Sequence, residues 1–212
     1  GKRVTPRTPA VLPPFDGYRL DRLGLVDWLV SKENPLFARV SVNRLWQQFF
    51  GYGLVKTPDN FGLQGELPSH PELLDWLAKD FISHKWDLHQ TIKKIVLSAT
   101  YGQSSTHRPE LEDPENRSLS RGSSFRLPAE MIRDQALATS GLLSKKVGGP
   151  SVMPYQPDGV WSDLNAPPHQ REFYVQSKGG NLYRKSLYTY WRRAVLHPSM
   201  STFDAPSRDV CT

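Results

Sequence analysis

The stretch that decides the fold runs from residue 34 to residue 86 and reads NPLFARVSVNRLWQQFFGYGLVKTPDNFGLQGELPSHPELLDWLAKDFISHKW. Asn34 is a favoured helix N-cap, Pro35 suits the first helical position, and Gly51 is a common residue at a helix end. We predict a helix that begins at Asn34 and Pro35 and ends at Gly51. Its apolar positions recur at helical spacing and are Leu36, Phe37, Val40, Leu45, Phe49 and Phe50.

Another helix in the same stretch is indicated by Ser69 followed by Glu72, the spacing of a capping box, with Pro71 in the first turn. The apolar face that follows comprises Leu73, Leu74, Trp76, Leu77, Phe81 and Ile82. Upstream, helical spacing predicts a short helix within residues 20–30, and downstream Asp87 is suited to cap a further helix. These segments predict a core of helix packed on helix.

Proline and glycine punctuate the rest of the chain. Pro128 opens a fifth predicted helix that closes near Gly141, and residues 182–193 fit a strand about as well as a helix. We therefore predict a mainly α fold, a bundle of about five helices with long Pro/Gly-rich loops. A small β element near the C-terminus is left open as an alternative to a last helix.

A single domain is predicted over residues 18–212, because a chain of 212 residues is long enough to bury one core. Residues 1–17 are basic and rich in proline, which predicts an extended lead-in. Within the domain we expect a helical core over residues 20–142 and a loop-rich part over residues 143–212.

Composition excludes several classes of protein and site. No apolar run approaches the roughly 20 residues that cross a bilayer, and the opening residues lack the apolar stretch of a signal peptide. The lone Cys211 permits no internal disulfide, and the six histidines lack the i, i+4 pairing that would indicate a metal site. A start at Gly1 instead of Met indicates a fragment or a processed product.

Residues 171–193, here called the basic aromatic segment, carry most of the net charge of +6. They contain six Lys or Arg residues and one acid, Glu172, for a net charge of +5. The predicted binding residues in this segment are Arg184, Lys185, Tyr188, Tyr190, Trp191, Arg192 and Arg193. Such a mixture suits nucleic acid, an anionic polysaccharide or an acidic protein surface. A solvated basic hairpin with partly buried aromatic residues is the alternative.

Acids and arginines cluster at the start of the fifth predicted helix, where the members are Arg126, Glu130, Arg133 and Asp134. Their four-residue spacing allows them to share a face. Glu130 and Asp134 would serve general acid–base chemistry if burial or mutual repulsion split their pKa values. The interspersed arginines favour an ion-pair network that pins a loop. Residues that join such a network from the preceding loop are Asp113, Asn116, Arg117 and Arg121.

Asn43 and Arg44 are polar residues inside the apolar helix that ends at Gly51. Facing inward, they would need partners such as the carbonyl groups of residues 51–65 or the acid Asp59. Anchoring of that loop is favoured over a substrate-binding role for Arg44. His70 is interpreted as a residue of a first helical turn, not a catalytic base. Residues 155–161 suit either a sugar site or, as we favour, a stiff loop across the core.

The chain contains a series of distinctive motifs, which are VNRLWQQFFGYGLV (42–55), PDNFGLQGELPSHPELLDWLA (58–78), IVLSATYGQSS (95–105), DPENR (113–117), FRLPAEMIRD (125–134), SGLL (140–143), GGPSVMPYQPDGVW (148–161), YRKSLYTYWRR (183–193) and FDAPSRDVC (203–211). Together these motifs resemble the domain of unknown function known as planctomycete-specific domain one. The resemblance covers nearly the whole chain in the order of the family.

The resemblance implies an exported protein, periplasmic or at the cell surface, in which this domain lies C-terminal to cytochrome-c-type haem modules. It implies no cofactor in this chain and haem only in neighbouring modules, so the expected partner is a cytochrome-c-type module of the same parent protein. Export makes nucleic acid implausible and leaves anionic polysaccharide as a second partner. Family members continue past the cysteine into further helix, which implies that this chain is a truncated form of the domain.

We therefore expect a non-catalytic binding or assembly module of an exported, haem-associated multidomain protein. It would contact partner domains or anionic polysaccharide through the basic aromatic segment. The alternative is a glycoside-hydrolase-like enzyme in which Glu130 and Asp134 form the carboxylate pair, while Arg44, Arg126 and Arg133 orient an acidic sugar. Carboxylates across an open cleft would favour the enzyme, and carboxylates sealed by arginines beneath a loop would favour the binding module.

Overall fold

The computed structural model describes residues 8–106, 110, 112–161, 174–192 and 195–206. Over these residues the chain forms six α-helices and almost no β structure, which confirms the mainly α fold. The helices are α1 (Arg22–Leu29), α2 (Phe37–Phe50), α3 (Pro71–Ser83), α4 (Leu88–Val96), α5 (Ala129–Thr139) and α6 (Pro198–Thr202). None of the described helices has the length and apolar character that crossing a bilayer requires.

The chain divides into two compact units, Gly1–Phe125 and Arg126–Thr212. The first unit contains α1 to α4, and the second contains α5, α6 and two 3₁₀ turns at Gly179–Tyr183 and Ser186–Tyr188. The proposed division into a helical core over residues 20–142 and a loop-rich part beyond it stays a prediction.

The core of the first unit is apolar and lies where α2 packs on α3 and α4. Trp46 and Phe50 stack one turn apart on α2, with ring centroids 4.0 Å apart. The buried apolar residues around them are Ala38, Val42, Leu54, Val55, Leu74, Leu77, Ala78, Phe81 and Ile95. Burial of each large side chain in such a core is worth about 1.5–3 kcal/mol, so these contacts dominate the stability of the unit.

The start of α2 differs from the prediction, whereas its end agrees. The carbonyl of Pro35 accepts a hydrogen bond from the Arg39 guanidinium (2.5 Å), and the first helical bond runs from Val40 N–H to the carbonyl of Leu36. The helix therefore begins at Phe37. Asn34 still serves the helix start, because its Oδ1 accepts from the N–H groups of the two residues after Pro35. Gly51 ends the helix at φ 82°, as predicted.

The start of α3 is only partly as predicted. Pro71 opens the helix, but the N-cap is His70 and the capping box of Ser69 and Glu72 is not formed. Both the backbone N–H and the hydroxyl of Ser69 donate to the carbonyl of Leu54, at 2.8 and 3.4 Å, so this serine pins the loop before the helix. At the next helix the prediction is confirmed, because Asp87 Oδ1 accepts from Gln90 N–H at 3.0 Å.

Helix α5 buries little of its apolar surface. The helix follows Pro128 and ends close to Gly141, as expected, but Ala129 is its only buried residue and Met131 is 51% exposed. The reason is that α5 packs on two short elements, α6 and the turn Ser186–Tyr188. The α5 side chains that bond to the turn Ser186–Tyr188 are polar, as described below.

The ambiguous residues 182–193 form neither a strand nor an α-helix where they are described. They contain part of one 3₁₀ turn and all of the other, and they touch the preceding loop through isolated bridges between Arg184 and Ser144 and between Thr189 and Val152. Val152 N–H donates to the carbonyl of Tyr188 at 2.7 Å, and its carbonyl accepts from Tyr190 N–H at 2.8 Å. Backbone pairing is therefore present only at single residues.

Candidate functional site

Arg184 lies inside the second unit and is 1% exposed, although it was predicted to bind an external partner. Its guanidinium donates to three backbone carbonyls, those of Gly148 (2.6 Å), Pro150 (3.0 Å) and Lys146 (3.4 Å). The same group lies 3.6 Å from the centroid of the Tyr188 ring. These bonds use the charge internally, so Arg184 holds the loop 146–150 and does not form part of a cationic surface.

Tyr188 is held against the loop that Arg184 binds, whereas Lys185 points to solvent. The Tyr188 hydroxyl accepts from Gly148 N–H at 2.8 Å, which ties the ring to the same loop. Lys185 is exposed, and so is Leu187, with 82% of its surface accessible. Over residues 184–187 buried and exposed side chains thus alternate, because Arg184 and Ser186 point inward.

Arg133 on α5 holds the turn that carries Lys185 and Leu187. Its Nη1 donates to the carbonyl of Arg184 (2.9 Å) and to Ser186 Oγ (3.2 Å), and its Nη2 donates to the carbonyl of Leu182 (3.2 Å). Burial lowers the pKa of this guanidinium, whereas the charge of Asp134 opposes that effect. Arg133 is therefore a structural cation between α5 and the two 3₁₀ turns.

Asp134, one of the two predicted carboxylates, completes the same network. Its Oδ1 accepts from both the backbone N–H and the hydroxyl of Ser186, each at 2.7 Å, and lies 3.8 Å from Arg133 Nη1. Glu130 has no hydrogen bond or ion pair with any residue that the structure describes. Arg126, the fourth member of the cluster, pairs with Asp204. The geometry uses these side chains to join segments, as the ion-pair interpretation predicts.

Aromatic residues of the basic aromatic segment gather around Trp161. Its ring lies 5.1 Å from that of Tyr174 and 6.0 Å from that of Tyr190, between centroids, and Arg192 lies over it at 4.8 Å. All four side chains are half-buried. Trp191 is also half-buried, and Arg193, the last predicted binding residue, lies outside the described residues.

Tyr174 is the most strongly perturbed titratable group of this cluster. Burial raises the pKa of its phenol to about 12, although the positive charge of Arg133 acts in the opposite direction. The hydroxyl donates to the carbonyl of Pro154. A phenol that stays protonated and bonded to a carbonyl is a structural group at neutral pH.

Asn43 in the first unit behaves as predicted for a loop anchor. It is fully buried, its Nδ2 donates to the carbonyl of Val55 (3.0 Å), and its Oδ1 accepts from Val55 N–H (2.8 Å). A Cβ at Gly53 would lie 2.5 Å from Nδ2, so the loop requires glycine there. Arg44 points to solvent and pairs with the exposed Asp59 at 2.7 Å.

The loop residues predicted to join the acid–arginine cluster make their bonds within the first unit. Asp113 accepts from the N–H groups of Arg117 (2.6 Å) and Ser118 (2.9 Å). Asn116 donates to the carbonyl of Arg121 at 2.8 Å and accepts from its N–H at 3.1 Å. The segment is therefore a self-bonded turn. Within the described part of the chain, no three His, Asp or Glu side chains gather as a set of metal ligands.

An apolar groove in the first unit was not found from the sequence. It has a volume of about 1010 Å³ and lies between the lead-in and α1. Seven of its lining residues are apolar, and Leu20 and Leu25 are 96% and 46% exposed. The signal that would have found it is the apolar spacing within residues 20–30, which sequence reasoning assigned to core packing.

The comparisons with known proteins give a family but no activity. No curated protein matches the chain, and no solved structure matches it. The model of the family PSD1, described as protein of unknown function (DUF1553), matches residues 21–212. This match spans far more than half of the sequence. The chain therefore belongs to the PSD1 family of proteins of unknown function.

Proposed function

We propose that this chain is a non-catalytic binding or assembly module of an exported, haem-associated multidomain protein. The contact would be made by the turn at residues 185–188 in the second unit. The observation that carries the proposal is a rigid turn that holds Lys185 and Leu187 outward. The family resemblance supports a cytochrome-c-type module of the same parent protein as the partner.

The turn is held from three sides. Asp134 binds both polar groups of Ser186, and Arg133 binds the carbonyl of Arg184 and the hydroxyl of Ser186. Tyr188 is fixed to Gly148 and stacks on the buried guanidinium of Arg184. Because the turn is fixed before binding, little backbone entropy is lost when a partner covers it, which favours a binding role.

The chemistry of the exposed side chains favours a protein partner over a polysaccharide. An 82% exposed leucine on a rigid turn gains free energy only when an apolar surface covers it. Lys185 beside it adds attraction to an acidic surface and speeds association at low salt. Anionic polysaccharide would use the lysine but leave the leucine in water. A partner domain with an acidic and apolar patch uses both.

The test measures binding to the recombinant haem-bearing module of the same polypeptide by isothermal titration calorimetry. We expect Leu187→Ser and Lys185→Glu each to weaken binding about tenfold, the effect of losing a contact worth about 1.4 kcal/mol. The matched control for charge is Lys178→Glu, an exposed lysine of the same segment. The matched control for apolar exposure is Leu25→Ser in the groove of the first unit.

Several results would contradict the proposal. If both Leu187→Ser and Lys185→Glu bind with wild-type affinity, the turn does not contact the partner. A loss with Lys178→Glu as large as that with Lys185→Glu would indicate a diffuse charge effect, and a loss only with Leu25→Ser would place the contact in the first unit. Binding to heparin that is unchanged by Leu187→Ser, without binding to the haem module, would overturn the choice of a protein partner.

The glycoside-hydrolase-like alternative is less well supported. Asp134 binds both the backbone N–H and the hydroxyl of Ser186 through Oδ1, which gives this carboxylate a structural role. Glu130 lies half-buried on the same helix. Its role as a catalytic carboxylate stays a prediction. Hydrolysis of an acidic polysaccharide by the wild-type chain that is lost in Glu130→Gln would favour this alternative over the binding module.

A further inference from the structure

His197 joins α6 to the loop at residues 153–156 through both ring nitrogens. Nδ1 accepts from Ser199 N–H (3.3 Å) and lies 2.8 Å from Ser199 Oγ, and Nε2 lies 3.0 Å from the carbonyl oxygen of Tyr155. A carbonyl oxygen only accepts, so Nε2 carries the proton and Nδ1 is the acceptor. The neutral ring accepts from Ser199 N–H and donates to the Tyr155 carbonyl, whereas a protonated ring would lose the bond from Ser199 N–H and donate to Ser199 Oγ instead.

The helix that His197 caps depends on few other contacts. α6 has five residues, and a helix of this length does not persist in water without tertiary support. Met200 is completely buried, and α6 packs on α5. Just beyond the helix, Asp204 pairs with Arg126. The histidine cap, one buried methionine and one ion pair thus hold α6 in place.

Charged and titratable residues lie on the segments that pack on α6 or contact the His197 ring. Helix α5, which packs on α6, carries Glu130, Arg133 and Asp134, with Arg126 just before it. Tyr155 lies at Nε2, Tyr174 bonds to the neighbouring Pro154, and Asp204 follows α6. Asp134 is bound to Ser186, and Asp204 is paired with Arg126, so these two acids are engaged elsewhere. Burial lowers the pKa of His197, the hydrogen bond to the Tyr155 carbonyl raises it, and the charge of Arg133 lowers it further.

We propose that His197 is an acid-sensitive latch that holds α6 on the second unit. Protonation of Nδ1 replaces the acceptor of Ser199 N–H with a donor, so the cap is lost and a second cation forms near Arg133. The released helix exposes Met200 and frees the carbonyl of Tyr155, while Pro154 stays bonded to Tyr174.

The direction of the pH effect follows from the docked and released states. The ring titrates near its ordinary pKa of about 6.5 when α6 is released, and below that value when α6 is docked. The docked state therefore binds fewer protons, and docking weakens as the pH falls from about 6.5 toward the docked pKa. For each pKa unit by which docking lowers the pKa of His197, the equilibrium constant for docking of α6 can fall by about tenfold at low pH.

The test follows amide hydrogen exchange of Ser201 and Ala205 in the whole chain, between about pH 8 and about pH 5. These amides donate to the carbonyls of His197 (3.0 Å) and Met200 (3.0 Å), so they report α6 directly. NMR titration of the His197 ring gives the docked pKa. We expect the protection factors to fall at low pH by about tenfold for each unit by which the measured pKa lies below about 6.5.

Two variants separate the latch from general acid unfolding. In His197→Asn the side chain still offers an oxygen to Ser199 N–H but does not titrate, so the pH dependence of protection should vanish. His70→Asn is the matched control, because His70 occupies the N-cap of α3 without bonding to that helix through its side chain. It should leave the pH dependence of α6 unchanged.

The latch is overturned if His197 titrates at or above about 6.5, or if Ser201 and Ala205 keep their protection at low pH. It is also overturned if His197→Asn retains the pH dependence of the wild type. If His197→Asn does not hold α6 at any pH, the test rests on the wild type alone. Its measured loss of protection is then compared with the loss that its measured His197 pKa predicts. A loss of protection that differs from the factor set by the measured pKa then contradicts the proposal.

Discussion

The two units of this protein are stabilised by different chemistry. In the first unit, α2 packs on α3 and α4 through a continuous set of buried apolar side chains that includes Val42, Leu77 and Ile95. In the described part of the second unit, the buried apolar residues are Ala129, Val152, Pro154 and Met200, and the buried polar ones include Arg184, Ser186 and Thr189. The comparison teaches that a loop-rich unit can replace an apolar core with a hydrogen-bonded arginine network.

Arg184→Met is expected to have the largest effect, because the replacement removes every bond to the carbonyls of residues 146–150. Those buried carbonyls would lose their donors, and the stack on Tyr188 would also be lost. We expect the free energy of unfolding of the second unit to fall by about 3–5 kcal/mol. Denaturant unfolding followed by Trp161 fluorescence measures the change.

The comparison supplies the control for that prediction. Leu77→Ala in the first unit should cost a similar amount, about 2–5 kcal/mol, through a cavity instead of lost hydrogen bonds. If Arg184→Met unfolds the second unit no more easily than the wild type, the polar network does not stabilise it. Arg184→Lys should be nearly as damaging, since an ammonium group cannot reach several carbonyls with a planar fork.

Asn43→Ala tests a buried polar contact of the apolar first unit and ranks second in size. Removal of the amide leaves the N–H and carbonyl of Val55 buried without partners, at a cost of about 2–3 kcal/mol. Thermal unfolding by circular dichroism measures it. Arg44→Ala, next on the same helix, removes an exposed ion pair and should change stability by less than about 0.5 kcal/mol. Equal effects of the two substitutions would contradict the anchoring role of Asn43.

The smallest predicted effect near neutral pH concerns Tyr174 in the second unit. Its pKa is raised by burial to about 12, so the folded state favours the protonated phenol. The stabilisation is complete below the ordinary pKa of about 10 and is lost as the pH rises through the folded value. Ultraviolet difference spectra should show a phenol that ionises late. Tyr174→Phe should make the second unit less sensitive to alkali, and an unchanged alkaline midpoint would argue against this origin.

Most helix ends of the first unit were predictable from its sequence because their signals are local, whereas Trp76, predicted on an apolar face, is 54% exposed. Gly51, Pro71 and Asp87 mark helix ends through backbone geometry that neighbouring residues determine. Asn43 was predictable because an amide inside an apolar helix requires a partner, and the nearby loop offered one. Ser69 was missed as a loop anchor because its carbonyl partner, Leu54, is fifteen residues away and leaves no mark on the local pattern.

The second unit was less predictable because its contacts join distant residues. The fifth helix was predicted correctly, yet the small elements that pack on α5 cover little of its apolar surface, and Met131 remains 51% exposed. Arg184 was predicted to be a surface cation because its neighbours are basic. Only the folded loop at residues 146–150, some 34–38 positions earlier, reveals that its charge is internal.

The alternation of inward and outward side chains from Arg184 to Leu187 makes this segment sensitive to changes of length. Inserting one residue after Arg184 would send Lys185 toward the interior and Ser186 toward solvent, away from Asp134. Length variation across homologues should therefore be rare within residues 184–187.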